Sequence, residues 1–270
     1  MSAATPVVRD EPVPPHSPAQ PGKPGAAAAG DALDTLLLAA TPIATFDNDR
    51  ALTSASGFFF EREGRLFLVT SRHVLCDEPS GHFPNRVEVL FHTSAIDLSE
   101  SVGLSLLIYK EGRSIWRQGQ DSGGDVDVAM IELERDALPA QSVFHAFTPG
   151  HLHRPPARVE VGHSLLVVGF PLGFHDTVHH LPVVRQAVVA SAYGIRFQGK
   201  GYFLTDARTH RGTSGAPVVM RDTAEGALPW KLLGVHAARL DMANRDRLED
   251  ESLGLNCAWY ADILMALSAH

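Results

Sequence analysis

Gly212-Thr213-Ser214-Gly215-Ala216-Pro217 reads GTSGAP and stands directly before the apolar pair Val218-Val219. A serine between two glycines, leaving a polar run and entering a strand, puts a hydroxyl on a tight, exposed turn. Glycine admits backbone conformations that a side chain forbids. It also lets two backbone N–H groups converge on one point, as stabilisation of an oxyanion requires. Gly, Ser and Pro together also mark ordinary turns, so the meaning of this segment depends on what the rest of the chain brings to it.

Outward from this turn the pattern is strands and turn clusters. Gly57–Phe60, a polar turn at Glu61–Gly64 and Leu66–Thr70 read as a β-hairpin. Apolar or alternating runs follow at Val87–Phe91, Leu104–Tyr109 and Val126–Leu133. A loop rich in His and Pro covers about 145–157. A second series runs through Leu165–Phe170, Val183–Ala190, Tyr202–Leu204, Pro217–Met220, Leu232–Ala237 and Leu255–Trp259. Ile263, Leu264 and Leu267 fall at helical spacing and predict a short C-terminal helix. Two sets of about six strands predict an all-β architecture of two six-stranded antiparallel β-barrels. The first barrel is expected over about 50–145, the second over about 158–259 and the helix over about 260–268, within one folded unit spanning 33–270.

Residues 1–32 form a different kind of sequence. Prolines at 6, 12, 14, 15, 18, 21 and 24 precede Ala26–Ala29, with nothing to bury, and predict a disordered tail. The order of features of a signal peptide is absent, and the run Leu36-Leu37-Leu38 follows Asp31 and Asp34 rather than a basic segment. No apolar stretch reaches the ~18 residues of a transmembrane helix. The reading is a cytoplasmic protein that ends without a further regulatory domain. The 270 residues carry a formal charge of −8, which argues against nucleic acid or an anionic membrane as partner. Two cysteines, Cys76 and Cys257, make no disulfide framework and read as buried thiols.

Ser214 needs a base, because a free serine hydroxyl is barely ionised at neutral pH. Of 14 histidines, His73 is set apart by its context, VTSRHVL, where a buried strand runs out. A third group should orient the imidazole and stabilise its charged form. Asp127 in GGDVDVAMIEL stands among Val126, Val128 and Ala129, where burying a carboxylate without a partner is costly. Asp125 shares its face by strand alternation, so periodicity does not choose between the two.

With these residues in view, the chain resembles the chymotrypsin-like (trypsin-fold) serine peptidases in their bacterial, disulfide-poor form. The order His73, Asp127, Ser214 is that family's order. SGFFF (56–60) with VTSRHVL resembles the strand pair that delivers the histidine, and DVA (127–129) resembles the Asp-hydrophobic-Ala motif, which favours Asp127. VVGFPLG (167–173) with PVVRQAVVAS (182–191) resembles the opening of the second barrel. GTSGAPVV (212–219) with LLGVHAARL (232–240) resembles the nucleophile turn and the strand lining the cleft. The resemblance implies a chymotrypsin-like fold, a protein or peptide substrate, no cofactor, and an oxyanion hole made by the N–H groups of Gly212 and Ser214. Thr213 stands where digestive members carry an Asp that pairs with a newly cut N-terminus, so tryptic activation is not expected. Members that cut after Glu or Gln place a Thr five residues before the nucleophile and a His in a Gly-hydrophobic-His on the next strand. Thr209 and His236 match those positions and would donate hydrogen bonds to the side chain before the scissile bond. Arg208, where trypsin-like members have the pocket Asp, would repel Lys or Arg.

The alternatives differ in class. A peptidase fold that only binds would be expected to have lost a triad residue, and all three positions are filled. A metalloenzyme built on His151 and His153, on His179 and His180, or on His73 and Cys76 lacks HExxH spacing or a Cys cluster. An α/β-hydrolase needs G-x-S-x-G before a helix, and Pro217 opposes one.

Overall fold

The computed structural model describes residues 33–154, 158–223, 226–239 and 254–269. The tail expected over 1–32 lies outside them, as do the last residues of the loop expected over 145–157. The first half contains β1 (Ala40–Asp47), β2 (Arg50–Arg62), β3 (Arg65–Thr70), the one-turn helix α1 (Arg72–Leu75), β4 (Arg86–His92) and β5 (Ser101–Leu107). It continues with the short pair β6 (Tyr109–Lys110) and β7 (Arg113–Ser114), then β8 (Trp116–Asp121) and β9 (Gly124–Leu133). The second half contains β10 (Ser164–Gly169), β11 (Val183–Val189), β12 (Tyr202–Asp206), β13 (Pro217–Arg221), β14 (Trp230–Arg239) and β15 (Leu255–Tyr260). A helix, α2 (Ile263–Leu267), ends it.

β10 to β15 close into a six-stranded antiparallel barrel in the order β10-β11-β12-β15-β14-β13. The first half is a seven-stranded sheet in the order β5-β4-β1-β2-β3-β9-β8, curled into a barrel-like layer. Isolated bridges from Val143 to His92 and from Phe147 to Phe60 strap it. The β2–β3 hairpin turns on two residues, Glu63 and Gly64, both at positive φ (53° and 76°). Such a two-residue turn matches the right-handed twist of its strands. The expected strand Leu104–Tyr109 stops at Leu107, where its pairing with β4 ends at Arg86.

Strand alternation divides the apolar side chains among three cores. Phe59, Leu66, Leu68, Phe91 and Ile131 fill the first sheet. Leu165, Val167, Val189, Phe203 and Leu233 fill the closed barrel. The opposite faces of the same strands, Phe58, Phe60, Phe67, Val69, Val128 and Met130, meet Val168, Phe170, Val219 and Val235 between the halves. Leu264 and Leu267 of α2 join this middle cluster. Arg62 and Arg117 of the first sheet donate to the carbonyls of Met265 and Ala269, at 2.8 and 2.6 Å. They satisfy carbonyls that a helix end leaves without partners. Cys257 is buried, whereas Cys76 is only half-buried, with its thiol turned to Glu78. Among the described residues no helix is long and apolar enough to cross a membrane.

Gly57 lies where β1, β2 and β3 meet. A Cβ there would stand 2.7 Å from Ile43 Cδ1 and 2.9 Å from the Val69 carbonyl oxygen. A backbone atom of a central strand cannot retreat cheaply. Gly57→Ala is therefore expected to cost about 1–3 kcal/mol. A lowered urea midpoint at unchanged m-value checks this.

Candidate active site

His73 is the second residue of α1, which begins as β3 ends. A first-turn N–H has no partner inside its helix, and the His73 N–H donates to Asp127 Oδ1 at 2.9 Å. Its Nδ1 lies 2.7 Å from Asp127 Oδ2. An ionised carboxylate only accepts, so Nδ1 carries the proton and Nε2 keeps a free lone pair. Burial would lower the basicity of His73. The hydrogen bond and charge of Asp127, with the charge of Asp77, outweigh it and leave the pKa above 6.5. Asp127 sits on β9 between the buried Val126 and Val128, on the strand that pairs with β3 at Thr70. Asp125 is exposed at the β8–β9 turn and accepts from Gln120 Nε2 at 2.7 Å. Tertiary structure thus separates the two carboxylates that alternation left together.

Ser214 belongs to a turn anchored on both halves of the protein. Gly212 and Gly215 take φ of 89° and 86°, in the region that favours glycine. Ser56, fully buried on β2, donates its Oγ–H to the Gly212 carbonyl (2.7 Å) and its N–H to the Ser214 carbonyl (2.9 Å). Ser56 Oγ also accepts the Phe170 N–H at 2.9 Å. Thr70 Oγ1 donates to the Ser56 carbonyl at 2.8 Å. The Leu172 N–H holds the Arg211 carbonyl at 2.6 Å. In a trans peptide the N–H opposes the C=O, so the Gly212 N–H faces away from Leu172. Among the described residues neither the Gly212 N–H nor the Ser214 N–H meets an acceptor. The Ser214 hydroxyl donates to the Ala237 carbonyl at 2.9 Å rather than to His73.

His73, Arg211 and Ser214 line two adjoining cavities. One, of about 380 Å³, adds Gly212, Thr53, Ser54 and Asp77. The other, of about 200 Å³, adds His210, His236, Ala237 and Ala238. A third cavity, lined by Leu152, His153, Tyr193 and Tyr260, includes none of these residues.

His236 is 2 % exposed, and its carbonyl accepts the Gly215 N–H (2.7 Å) and the Ser71 hydroxyl (3.1 Å). Its Nδ1 has no partner among the described residues. Burial, with a smaller push from His73, lowers its pKa to about 4, so the ring is neutral near pH 7. Two expectations about this pocket change. Thr209 does not donate into it: its hydroxyl lies 2.5 Å from Asn256 Oδ1, and Asn256 Nδ2 is held by the Ala207 carbonyl at 2.8 Å. Arg208 is exposed and lines neither cavity beside Ser214. Sequence reasoning passed over Ser56 and Arg211. Ser56 stood in plain view in SGFFF, but only the fold brings its hydroxyl to Gly212. Of the histidines weighed as metal ligands, His151 is engaged by Thr148 and His179 by Asp176.

The trypsin-like peptidase domain family matches this chain over residues 55–228. The Rv3671c protease of M. tuberculosis, in its active form, is similar in structure at 16 % identity, over 98 % of this chain and 92 % of that one, with a TM-score of 0.49. The serine endoprotease of Yersinia pestis is similar at 15 % identity, over 89 % of this chain and 65 % of that one, with a TM-score of 0.48. No curated protein matches the sequence.

The lowered pKa of His236 has a consequence for stability. Its folded form resists protonation, so the stability it contributes is complete above about pH 6.5 and is lost as pH falls toward 4. The shift corresponds to roughly 3 kcal/mol. His236→Gln should lose less stability than wild type between pH 7 and pH 4 by about that amount, as read from urea midpoints at the two pH values.

Proposed function

We infer that this chain, which belongs to the trypsin-like peptidase family, is a serine endopeptidase that hydrolyses peptide bonds through an acyl-enzyme on Ser214. The observation that carries the reading is the two-point grip of Asp127 on His73, at 2.9 and 2.7 Å, with His73 and Ser214 on one cavity wall. Rotation of the Ser214 side chain away from the Ala237 carbonyl turns its hydroxyl toward His73. His73 Nε2 takes the proton as Oγ attacks the carbonyl, and Asp127 stabilises the imidazolium that forms. The N–H groups of Gly212 and Ser214, which lack acceptors among the described residues, receive the oxyanion. His73 then gives its proton to the leaving amine, and water repeats the sequence in reverse to free the acid.

The preferred residue before the scissile bond is Glu or Gln. The 200 Å³ cavity presents the neutral ring of His236, with Arg211 beside it, and no carboxylate. A neutral imidazole can hydrogen-bond an amide as well as a carboxylate. A second reading, a peptidase fold that binds without turnover, draws on the Ser214–Ala237 hydrogen bond, which leaves the serine unactivated in this conformation.

A fluorophosphonate probe separates the two. Wild type should label at Ser214, and Ser214→Ala and His73→Ala should lose reaction by on the order of 10⁴-fold. Because His73 must be neutral to act as base and its pKa is raised, the labelling rate should climb with pH through a midpoint above 6.5. A folded wild type that stays unlabelled at pH 8 would favour the binding module, and a flat pH profile would remove His73 from the role of base. Ser56→Ala should lower kcat on the order of 10- to 100-fold with KM little changed, because Ser56 positions the oxyanion turn without touching substrate. Steady-state kinetics on a peptide substrate reads the split.

A further inference from the structure

We propose that the larger cavity beside Ser214 is a leaving-side subsite that selects a basic residue, Lys or Arg, directly after the scissile bond, with Asp77 as its selecting group. This deepens the peptidase reading and rests on it. A bond attacked by Ser214 must extend into both cavities that the serine touches. If the pocket of His236 takes the side chain before the bond, the 380 Å³ cavity takes the one after it.

The two cavities differ in chemistry. The smaller one is lined by histidines, Arg211 and small residues, without a carboxylate. The larger one is lined by the half-buried Asp77 together with Thr53, Ser54 and Ser80. The Ser80 hydroxyl donates to Asp77 Oδ2. No Lys or Arg pairs with Asp77 among the described residues, and its charge is felt at His73. His82 lies on the same wall, with its Nε2 held at the Val74 carbonyl at 3.0 Å. An incoming ammonium or guanidinium would supply the missing counter-charge and find hydroxyl acceptors beside it.

Arg211 is the opposing consideration, since it borders both cavities. It is exposed, whereas Asp77 is half-buried, and solvent screens an exposed charge more strongly. Its position on the shared wall also suits an acidic side chain in the smaller cavity, where nothing negative competes. The charges therefore sort the substrate: acidic or amide before the bond, basic after it.

The experiment is digestion of a proteome-derived peptide library by the full chain at pH 8.5, with cut sites mapped by mass spectrometry. Wild type, Asp77→Asn and Arg211→Ala are compared. The preferences are ratios of cut sites within one digest, so a change in the basicity of His73 scales every cut alike and cancels. Wild type should show Lys and Arg enriched over Asp and Glu after the cut by about tenfold, a preference worth roughly 1.4 kcal/mol. Asp77→Asn should bring that ratio near one while leaving the distribution before the cut unchanged. Arg211→Ala should shift the distribution before the cut and keep the basic preference after it. Cleavage with no charge preference after the bond, or a preference that survives Asp77→Asn, overturns the subsite and leaves the peptidase reading standing. A folded wild type that cuts no peptide overturns both.

Discussion

The turn that carries Ser214 is pressed against the opposite half of the molecule so closely that one of its residues has no room for a side chain. A Cβ on Gly215 would lie 2.2 Å from the Ser56 carbonyl oxygen and 2.2 Å from Thr70 Oγ1. Its φ of 86° excludes most other residues independently. This contact brings a loop of the closed barrel to the strand ends of the first sheet, and the other relations in the site follow from it. Thr70 is the last residue of β3, and His73 lies three residues on, so the backbone that supports the serine turn also launches the histidine. Ser56 completes the joint with hydrogen bonds to Gly212, Ser214 and Phe170. Net hydrogen-bond energies are modest, but leaving these buried groups unpaired would be expensive. The cost of any alternative arrangement is what gives the turn one conformation.

The electrostatics of the site depend on the same proximity. Two imidazoles sit close enough to affect each other, yet their environments drive them apart. His73 gains a carboxylate on two atoms and becomes more basic. His236 is buried without a partner on Nδ1 and is held neutral. Near neutral pH this leaves one ring that can take up a proton and one that cannot. Separation of pKa values by environment is how neighbouring titratable groups acquire distinct roles.

Local chemistry written in consecutive residues was legible in the sequence. The hairpin of Gly57–Phe60 and Leu66–Thr70, its polar turn, placed at Glu61–Gly64 and narrowed to Glu63-Gly64 by the fold, and the glycines around Ser214 all follow from short-range pattern, and the succession of apolar runs led to the two-barrel architecture. What pattern missed depended on tertiary context. β1 and β8 carry too many polar or small residues to read as strands; β1 is buried by β2 and β4, while β8 is an edge strand on β9. Asp125 and Asp127 are equivalent by period; the DVA resemblance favoured Asp127, and the fold separates them by leaving Asp125 at the exposed end of the β8–β9 hairpin. Thr209 has a place by spacing, but spacing cannot show that Asn256, 47 residues away, already holds its hydroxyl. Ser56 is one of many serines until the second barrel docks on it.

The division of the site between two halves bears on how substrate charge is read. His73, Asp127 and Asp77 come from the first sheet and its connections, while Ser214, Arg211 and His236 come from the closed barrel. Asp77 therefore lines only the larger cavity beside the serine and His236 only the smaller, with Arg211 on the wall they share. A peptide lying across the joint would pass from the cavity of His236 to the cavity of Asp77 at Ser214. The difference between the two cavities rests on Asp77, the carboxylate of the larger one, and on His236, which lines only the smaller. In the reaction proposed above, the proton passes to His73, which Asp127 and Asp77 stabilise in its protonated form, and negative charge develops at the N–H groups of Gly212 and Ser214.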